Sequence, residues 1–319
     1  MNEFDIIKKY LKPLTKMNSS SLYLEDDIYF DKKKGVVISV DTYVQGVHFF
    51  ATNPKKFLKK VLRSSLSDIY CKGIKPKHYF LSFSLKKGMA SNAWMKSVKK
   101  ILASEQKMFN IALSGGDTTF SSNFVTTVVV LGETKSNPVL RKGCNFNDDI
   151  YVTGNIGDSY IGLSILQKKK NFGKYNNFFV KKFYEPDLPY KFSPHLSLVA
   201  TASIDVSDGL GQDLKHLCAA SKFGAEIDLN LIPLSNKCNY LVNTDRLKLK
   251  KIFSNGDDYQ ILFTANRKNR SKINSLAKKT ETKISRIGVV VKEKNIVFKY
   301  NSRKIDFSDK NMGYIHNFN

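Results

Sequence analysis

The residues of this chain that could do chemistry are aspartates placed at the ends of apolar runs. They read Glu25-Asp26-Asp27, Asp41 after Val36-Val37-Ile38-Ser39-Val40, Ser67-Asp68, Gly115-Gly116-Asp117, Asp205-Val206-Ser207-Asp208 and Gly256-Asp257-Asp258. An aspartate just past a buried strand stands at the mouth of an α/β fold, where ligands bind. Several such mouths brought together supply oxygen ligands for hard divalent cations and, through them, for a polyphosphate.

Each motif also has a plainer reading. Gly115-Gly116-Asp117-Thr118-Thr119 follows the short apolar stretch Ile111–Leu113. Its glycines permit close backbone approach to a phosphate, or they form an ordinary turn. It lacks the Gly-Lys-Ser/Thr ending of a P-loop. In Asp205-Val206-Ser207-Asp208-Gly209, helix capping by Ser207 or Asp208 accounts for one of the three polar residues but not for all. Asp26-Asp27 also reads as a solvated turn. Asp68 falls in the last turn of a helix, an unfavourable place for an anion without a cation nearby. His48 reads as a loop histidine, and Arg141 as a phosphate clamp or a surface ion pair.

The elements needed to position these residues follow from pattern. Gly35 precedes a strand over Val36–Asp41. Asn53-Pro54 then opens a helix whose apolar positions (Phe57, Leu58, Val61, Leu62, Leu66, Ile69) recur at helical spacing until Gly73. Strands are expected over Tyr79–Leu85, Phe124–Gly132, Asp149–Thr153, Tyr259–Thr264 and Lys283–Val291, and helices over Asn92–Met108, from Asp158 to about Gln167, and over Lys268–Lys279. Ser207 is expected to cap the helix through Leu210, Leu214 and Leu217. This alternation predicts an α/β (α+β) chain. The polar, turn-forming stretch Asn137–Asn147 divides it into residues 1–140 and 141–319.

Composition bounds the function. The chain has 319 residues, 42% hydrophobic and 12% aromatic, which suits two globular units. The net charge of +24 raises nucleic acid as a partner, but only seven of the 52 basic residues are arginine. Base-reading proteins lean on arginine, so loose polyanion attraction is expected and specific nucleic-acid binding is not. No apolar run has membrane-spanning length, and the N-terminus lacks a signal-peptide layout. Four scattered cysteines (Cys71, Cys144, Cys218, Cys238) lack metal-ligand spacing and read as reduced thiols of a cytoplasmic protein.

Taken in order, the motifs resemble the thiamine-monophosphate kinase family, part of the ATP-binding superfamily that includes aminoimidazole ribonucleotide synthetase. The resemblance covers nearly the whole chain. Besides the aspartate motifs, it rests on Thr42-Tyr43-Val44-Gln45-Gly46-Val47-His48-Phe49, Leu140-Arg141-Lys142-Gly143, Gly157-Asp158-Ser159 and Gly313-Tyr314-Ile315-His316. It implies that superfamily's two-domain fold, each domain a mixed sheet with packed helices, with ATP and metal binding and dimerisation in the first. It also implies transfer of the γ-phosphoryl of ATP to thiamine monophosphate in a homodimer, directly and in line.

The resemblance further implies several Mg²⁺ ions on Asp27, Ser39, Asp41, Asp68, Asp117, Asp205 and Asp208, with Asp117 and Asp208 catalytic. Gly116, Asp117, Arg141, Ser207 and Phe109 match nucleotide-contacting positions. His48, Asp257 and Asn311 match substrate-contacting ones. The chain departs from the family pattern at Glu25 (usually Gly), Val40 (Thr), Asn255 (Gly), Asp257 (Glu), Phe109 (Tyr) and with an extra Asn317 before Phe318. A superfamily enzyme with a different acceptor, and a non-catalytic basic polyanion-binding protein, are the other readings.

Overall fold

The computed structural model describes residues 1–305, 312–316 and 318. The first half builds a five-stranded sheet from β1 (Tyr29–Asp31), β2 (Val36–Val44), β3 (Pro76–Leu85), β4 (Ala112–Phe120) and β5 (Val125–Glu133). Their spatial order is β1-β2-β5-β3-β4. The β3–β4 pair is parallel and the others are antiparallel. The second half builds a seven-stranded mixed sheet from β6 (Asp149–Thr153), β7 (Ala200–Asp205), β8 (Gly224–Asp228), β9 (Ile261–Ala265), β10 (Ile284–Val291), β11 (Ile296–Tyr300) and β12 (Arg303–Ile305). The principal helices, after the short α1 (Glu3–Ile6), are α2 (Pro54–Tyr70), α3 (Asn92–Phe109), α4 (Asp158–Leu166), α5 (Asn176–Tyr184), α6 (Leu210–Ala220), α7 (Asn236–Asn243), α8 (Leu249–Phe253) and α9 (Arg270–Lys279). The α/β class and the mixed sheet with packed helices in each half are as the sequence implied.

Helix α2 is the keel of the molecule. Asn53 caps it by accepting from the Lys55 amide at 3.0 Å, and Pro54 occupies its first turn. Phe57 stacks on Phe49 (centroids 5.0 Å apart) and meets Phe124 edge-on, also at 5.0 Å. Such ring pairs add about 0.5–1.5 kcal/mol beyond the area they bury. The opposite face of α2 meets the second half. Lys60 pairs with Asp257, Arg63 donates to the Pro186 carbonyl at 3.0 Å, and the Tyr70 carbonyl accepts from Ser193 at 2.6 Å. The helix is therefore buried nearly all round.

Two local expectations change. Gly115-Gly116-Asp117 is not a turn but the middle of β4, the edge strand beside β3. A Cβ on Gly116 would stand 1.9 Å from the Leu81 carbonyl oxygen, so this position demands glycine through contact with the neighbouring strand. Ser207 does not cap α6. Asp213, in the helix's first turn, accepts from the Asp208 and Gly209 amides at 3.2 and 3.1 Å.

Candidate active site

Five of the aspartates singled out above converge where the two halves meet. Asp27 precedes β1 and Asp41 lies on the inner face of β2. Asp68 is in the last turns of α2, Asp205 ends β7, and Asp208 lies in the loop before α6. Strand alternation puts Ser39, Asp41 and Tyr43 on one face of β2, against α2. Tyr43 donates to Asp41 at 3.3 Å and shares a 2.9 Å hydrogen bond with Ser65, while Ser39 donates to the Ser65 carbonyl at 3.4 Å. Ser207 donates to one oxygen of Asp205 at 3.4 Å. The other Asp205 oxygen is buried with no hydrogen-bond partner among the described residues.

Two cations, neither of them metal, hold one end of this cluster. Lys72, fully buried just past α2, reaches Asp26 at 2.8 Å, Asp27 at 2.9 Å and the Ser203 carbonyl at 3.3 Å. Arg141 grips Asp27 with two guanidinium nitrogens, and its amide donates to Asp26 at 2.8 Å. Burial works to raise the Asp27 pKa, but Arg141 and Lys72 overcome it and hold the carboxyl well below its ordinary range. The sequence hid Lys72 among many lysines. The one clue was Asp68 at a helix C-terminus, which called for a nearby cation.

The rest of the cluster is short of positive charge. Burial, with the Asp27 charge adding to it, pushes the Asp41 carboxyl up to about 6. Burial and Asp27 push Asp205 to about 7, and burial and Asp205 push Asp208 to about 7. Asp68 is raised by burial and then by Asp41. A buried oxygen without a partner, amid four carboxylates that resist ionising, is an arrangement that hard cations complete. The donor set therefore fits Mg²⁺. Cys71 adds one thiol, its ligand atom lying with those of Asp27 and Asp205 within 4.8 Å of one another. Sulfur is the wrong donor for Mg²⁺.

A pH dependence follows. Without divalent ions, the folded chain holds protons on Asp41, Asp205 and Asp208 that the unfolded chain, at the ordinary value of 3.8, has released. Stability from these groups is full below that value and is lost as pH rises through about 7. Metal-free protein should melt at lower temperature at about pH 8 than at about pH 5 as far as this cluster contributes, and Mg²⁺ should raise Tm more at the higher pH. An Mg²⁺ increment equal at both pH values would count against the cluster as the metal site.

A second group of side chains lies beside the first. Asp257 pairs with Lys60 and accepts from Tyr259 at 2.8 Å. Lys60, almost fully buried, also lies over the Phe183 ring at 4.0 Å. Nδ1 of His48 accepts from the Val44 amide at 3.0 Å, which leaves its proton on Nε2, and its ring lies 5.6 Å from that of His316. Burial and then His316 lower the His48 pKa, so the ring is neutral. Backbone contacts tie the two groups together. The Asp257 amide donates to Ser207 at 2.8 Å, and the Tyr314 amide donates to Asp208 at 3.0 Å. A Cβ on Gly256 would stand 1.8 Å from the Ser207 carbonyl oxygen, which accounts for glycine there.

Three expected residues lie elsewhere. Asp117 is exposed and forms a row with Ser82, Thr127 and Thr42 across the outer face of the first sheet, the side away from α2. At about 4.8 Å per strand this puts it roughly 14 Å from β2, on the opposite face from Asp41. Gly116 shares that edge strand. Phe109 is a core residue, edge-on to Tyr190 at 5.3 Å and under the Arg63 guanidinium at 5.5 Å. Asn311 lies outside the described residues.

Two sheets joined by a helical keel, with aspartates from both halves at the junction, define the class. Residues 24–134 match the AIR synthase related protein N-terminal domain, and residues 147–301 match the corresponding C-terminal domain. The thiamine-monophosphate kinase of Buchnera aphidicola subsp. Schizaphis graminum is 35% identical, over 99% of this chain and 98% of its own. That of Escherichia coli K12 is 32% identical over 84% of each chain. The crystal structure of the thiamine-monophosphate kinase from Stenotrophomonas maltophilia K279a superposes with a TM-score of 0.77 at 25% identity, covering 93% of this chain and 98% of that one. The structure of AaThiL complexed with AMPPCP and TMP shares the fold, with a TM-score of 0.80 at 22% identity, covering 99% of this chain and 97% of that one. This chain belongs to the thiamine-monophosphate kinase family.

Proposed function

We propose that this chain transfers the γ-phosphoryl group of ATP to thiamine monophosphate, giving thiamine diphosphate and ADP. The observation that carries the reading is the partnerless buried oxygen of Asp205 among Asp41, Asp68 and Asp208, tied through backbone hydrogen bonds to the His48–Asp257–Lys60 group. Family membership supplies the acceptor, and the paired clusters supply a donor end and an acceptor end.

Asp41, Asp68, Asp205 and Asp208 would hold Mg²⁺, which would supply neutralisation of the polyphosphate and of the charge that develops during transfer. The residues of the chain do the positioning. Asp41, Asp68, Asp205 and Asp208 present oxygens from both halves, so the junction must be assembled before the site exists. Arg141, gripping Asp27 through two guanidinium nitrogens, sets a fixed positive charge beside the carboxylate cluster for a nucleotide phosphate, and Ser207 lies beside Asp205 on the same loop. His48 and Asp257 orient the acceptor. No general base is required, because an attacking phosphate oxygen is already anionic. Asp257, one methylene shorter than the family's usual glutamate, is positioned by Lys60 and Tyr259.

The same reading includes a homodimer. All nine residues of edge strand β4 are exposed, and Val40 and Phe80 add apolar surface on the outer face of the sheet. An exposed edge beside an apolar face is a surface that calls for a cover. A second copy there would bring Gly116 and Asp117 to the subunit contact, with nucleotide beside it. Sedimentation should give a dimer, and Phe80→Asp should give a monomer; a wild-type monomer at micromolar concentration would remove this part. Four free, buried cysteines suit a reducing, cytoplasmic setting. Among the described residues no helix is long and apolar enough to cross a membrane.

The deciding experiment measures Mg²⁺-dependent ADP release with thiamine monophosphate or free thiamine as acceptor. Release stimulated by the monophosphate and not by thiamine is expected. Equal stimulation by both would overturn the acceptor assignment.

A further inference from the structure

We propose that the Lys72 ammonium is a built-in cation that takes the place of a divalent ion at Asp26 and Asp27, so that metal ions enter only the Asp41–Asp68–Asp205–Asp208 side of the site. The inference rests on the metal-dependent reading above. It concerns how many ions this chain takes and where they sit.

The hydrogen-bond inventory carries the argument. An ammonium has three N–H donors, and Lys72 has three oxygen acceptors: Asp26 Oδ1, Asp27 Oδ2 and the Ser203 carbonyl. The side chain is fully buried. Its backbone is pinned on both sides, the amide donating to Ile69 at 3.2 Å and the carbonyl accepting from Val139 at 3.0 Å. The ammonium therefore has no ready path out of its oxygen cage.

The carboxylates it holds have no free oxygen. Asp26 Oδ1 accepts from Lys72 and from the Asp27 amide, and Asp26 Oδ2 accepts from the Arg141 amide. Asp27 Oδ2 accepts from Lys72 and Arg141 Nε, and Asp27 Oδ1 from the second Arg141 nitrogen. Two carboxylates face two fixed cations, so the local charge is balanced. A divalent ion entering here would sit against two positive groups after displacing their hydrogen bonds.

The other side of the cluster is the reverse. None of Asp41, Asp68, Asp205 and Asp208 makes an ion pair among the described residues, and Asp205 Oδ2 is buried without a partner. Incoming charge is favoured there. Asp27 then serves as the anchor for Lys72 and Arg141, where the family resemblance makes it a metal ligand.

The test uses the full chain with Mn²⁺ and the non-hydrolysable ATP analogue AMPPCP. Anomalous diffraction should place Mn²⁺ on Asp41, Asp68, Asp205 or Asp208 and none on Asp26 or Asp27. Equilibrium dialysis should count one more Mn²⁺ per chain in Lys72→Met than in wild type, and an unchanged number in Asp27→Asn. Manganese bonded to Asp27 in the wild type overturns the proposal. So does loss of one ion in Asp27→Asn, or an unchanged count in folded Lys72→Met. If Lys72→Met does not fold, the wild-type map and the Asp27→Asn count decide. Wild-type protein that takes up no Mn²⁺ at all overturns the metal-dependent reading itself, a result distinct from manganese on Asp27.

Discussion

Asp205→Asn should lower kcat by about 10²–10³-fold, the scale seen when one preorganised electrostatic group is removed from a site, while the fold is kept. The substitution preserves shape and leaves an oxygen to accept the 3.4 Å bond from Ser207. It removes the anionic oxygen that has no hydrogen-bond partner among the described residues. It also removes a charge that opposes ionisation of Asp68, Asp208 and Asp213. Metal-free Asp205→Asn should therefore melt at the wild-type temperature or above it near neutral pH. Turnover and thermal melting should thus move independently. Near-wild-type kcat would sink the assignment of Asp205 to the metal site. A large fall in both would mean that the carboxylate holds the fold instead.

The largest loss of stability should come from Arg63→Ala, which disturbs no expected ligand. Arg63 grips Glu105 through two nitrogens at 2.7 and 3.1 Å and donates to the Pro186 carbonyl at 3.0 Å, linking α2 to α3 and to the second half. Glu105 is only 2% exposed. Truncating the arginine leaves that carboxylate buried without its cation, an error worth about 3–5 kcal/mol. The melting temperature should fall by roughly 10 °C for a chain of this size. Lys191→Ala, which breaks the exposed Lys191–Glu281 pair, should leave the melting temperature close to that of the wild type, because solvent screens that pair. Arg63→Met combined with Glu105→Leu should recover most of the loss, because the cost lies in the orphaned charge. Similar destabilisation by Arg63→Ala and Lys191→Ala would refute this account.

Much of the fold was legible because its signals are local. Asn53-Pro54 marks the start of α2 through a cap and a fixed φ. The run Asp149–Thr153 reads as a strand because Ile150, Tyr151, Val152 and Thr153 are β-branched or aromatic, and in the sheet all five of its residues are buried. The reading of Gly115-Gly116 as a turn fell short because glycine there answers the Leu81 carbonyl, more than thirty residues away in sequence. Capping by Ser207 fell short for a related reason: Asp213, inside the helix, competes for the same amides.

By itself the sequence determined the α/β class and identified the aspartates ending apolar runs, since hydrophobic periodicity and chain reversals are written in neighbouring residues. Only the tertiary structure decided how those aspartates divide. It put Asp41, Asp68, Asp205 and Asp208 together with no ion pair among the described residues, gave Asp26 and Asp27 to Lys72 and Arg141, and left Asp117 on the far face of the sheet. Which carboxylates attract a metal depends on burial and on which cation lies within a few ångströms. Both are set by contacts between α2, β2 and β7, elements distant in the chain. Lys72 and Lys60 look like any other lysines in the sequence, and their function lies wholly in where the fold buries them.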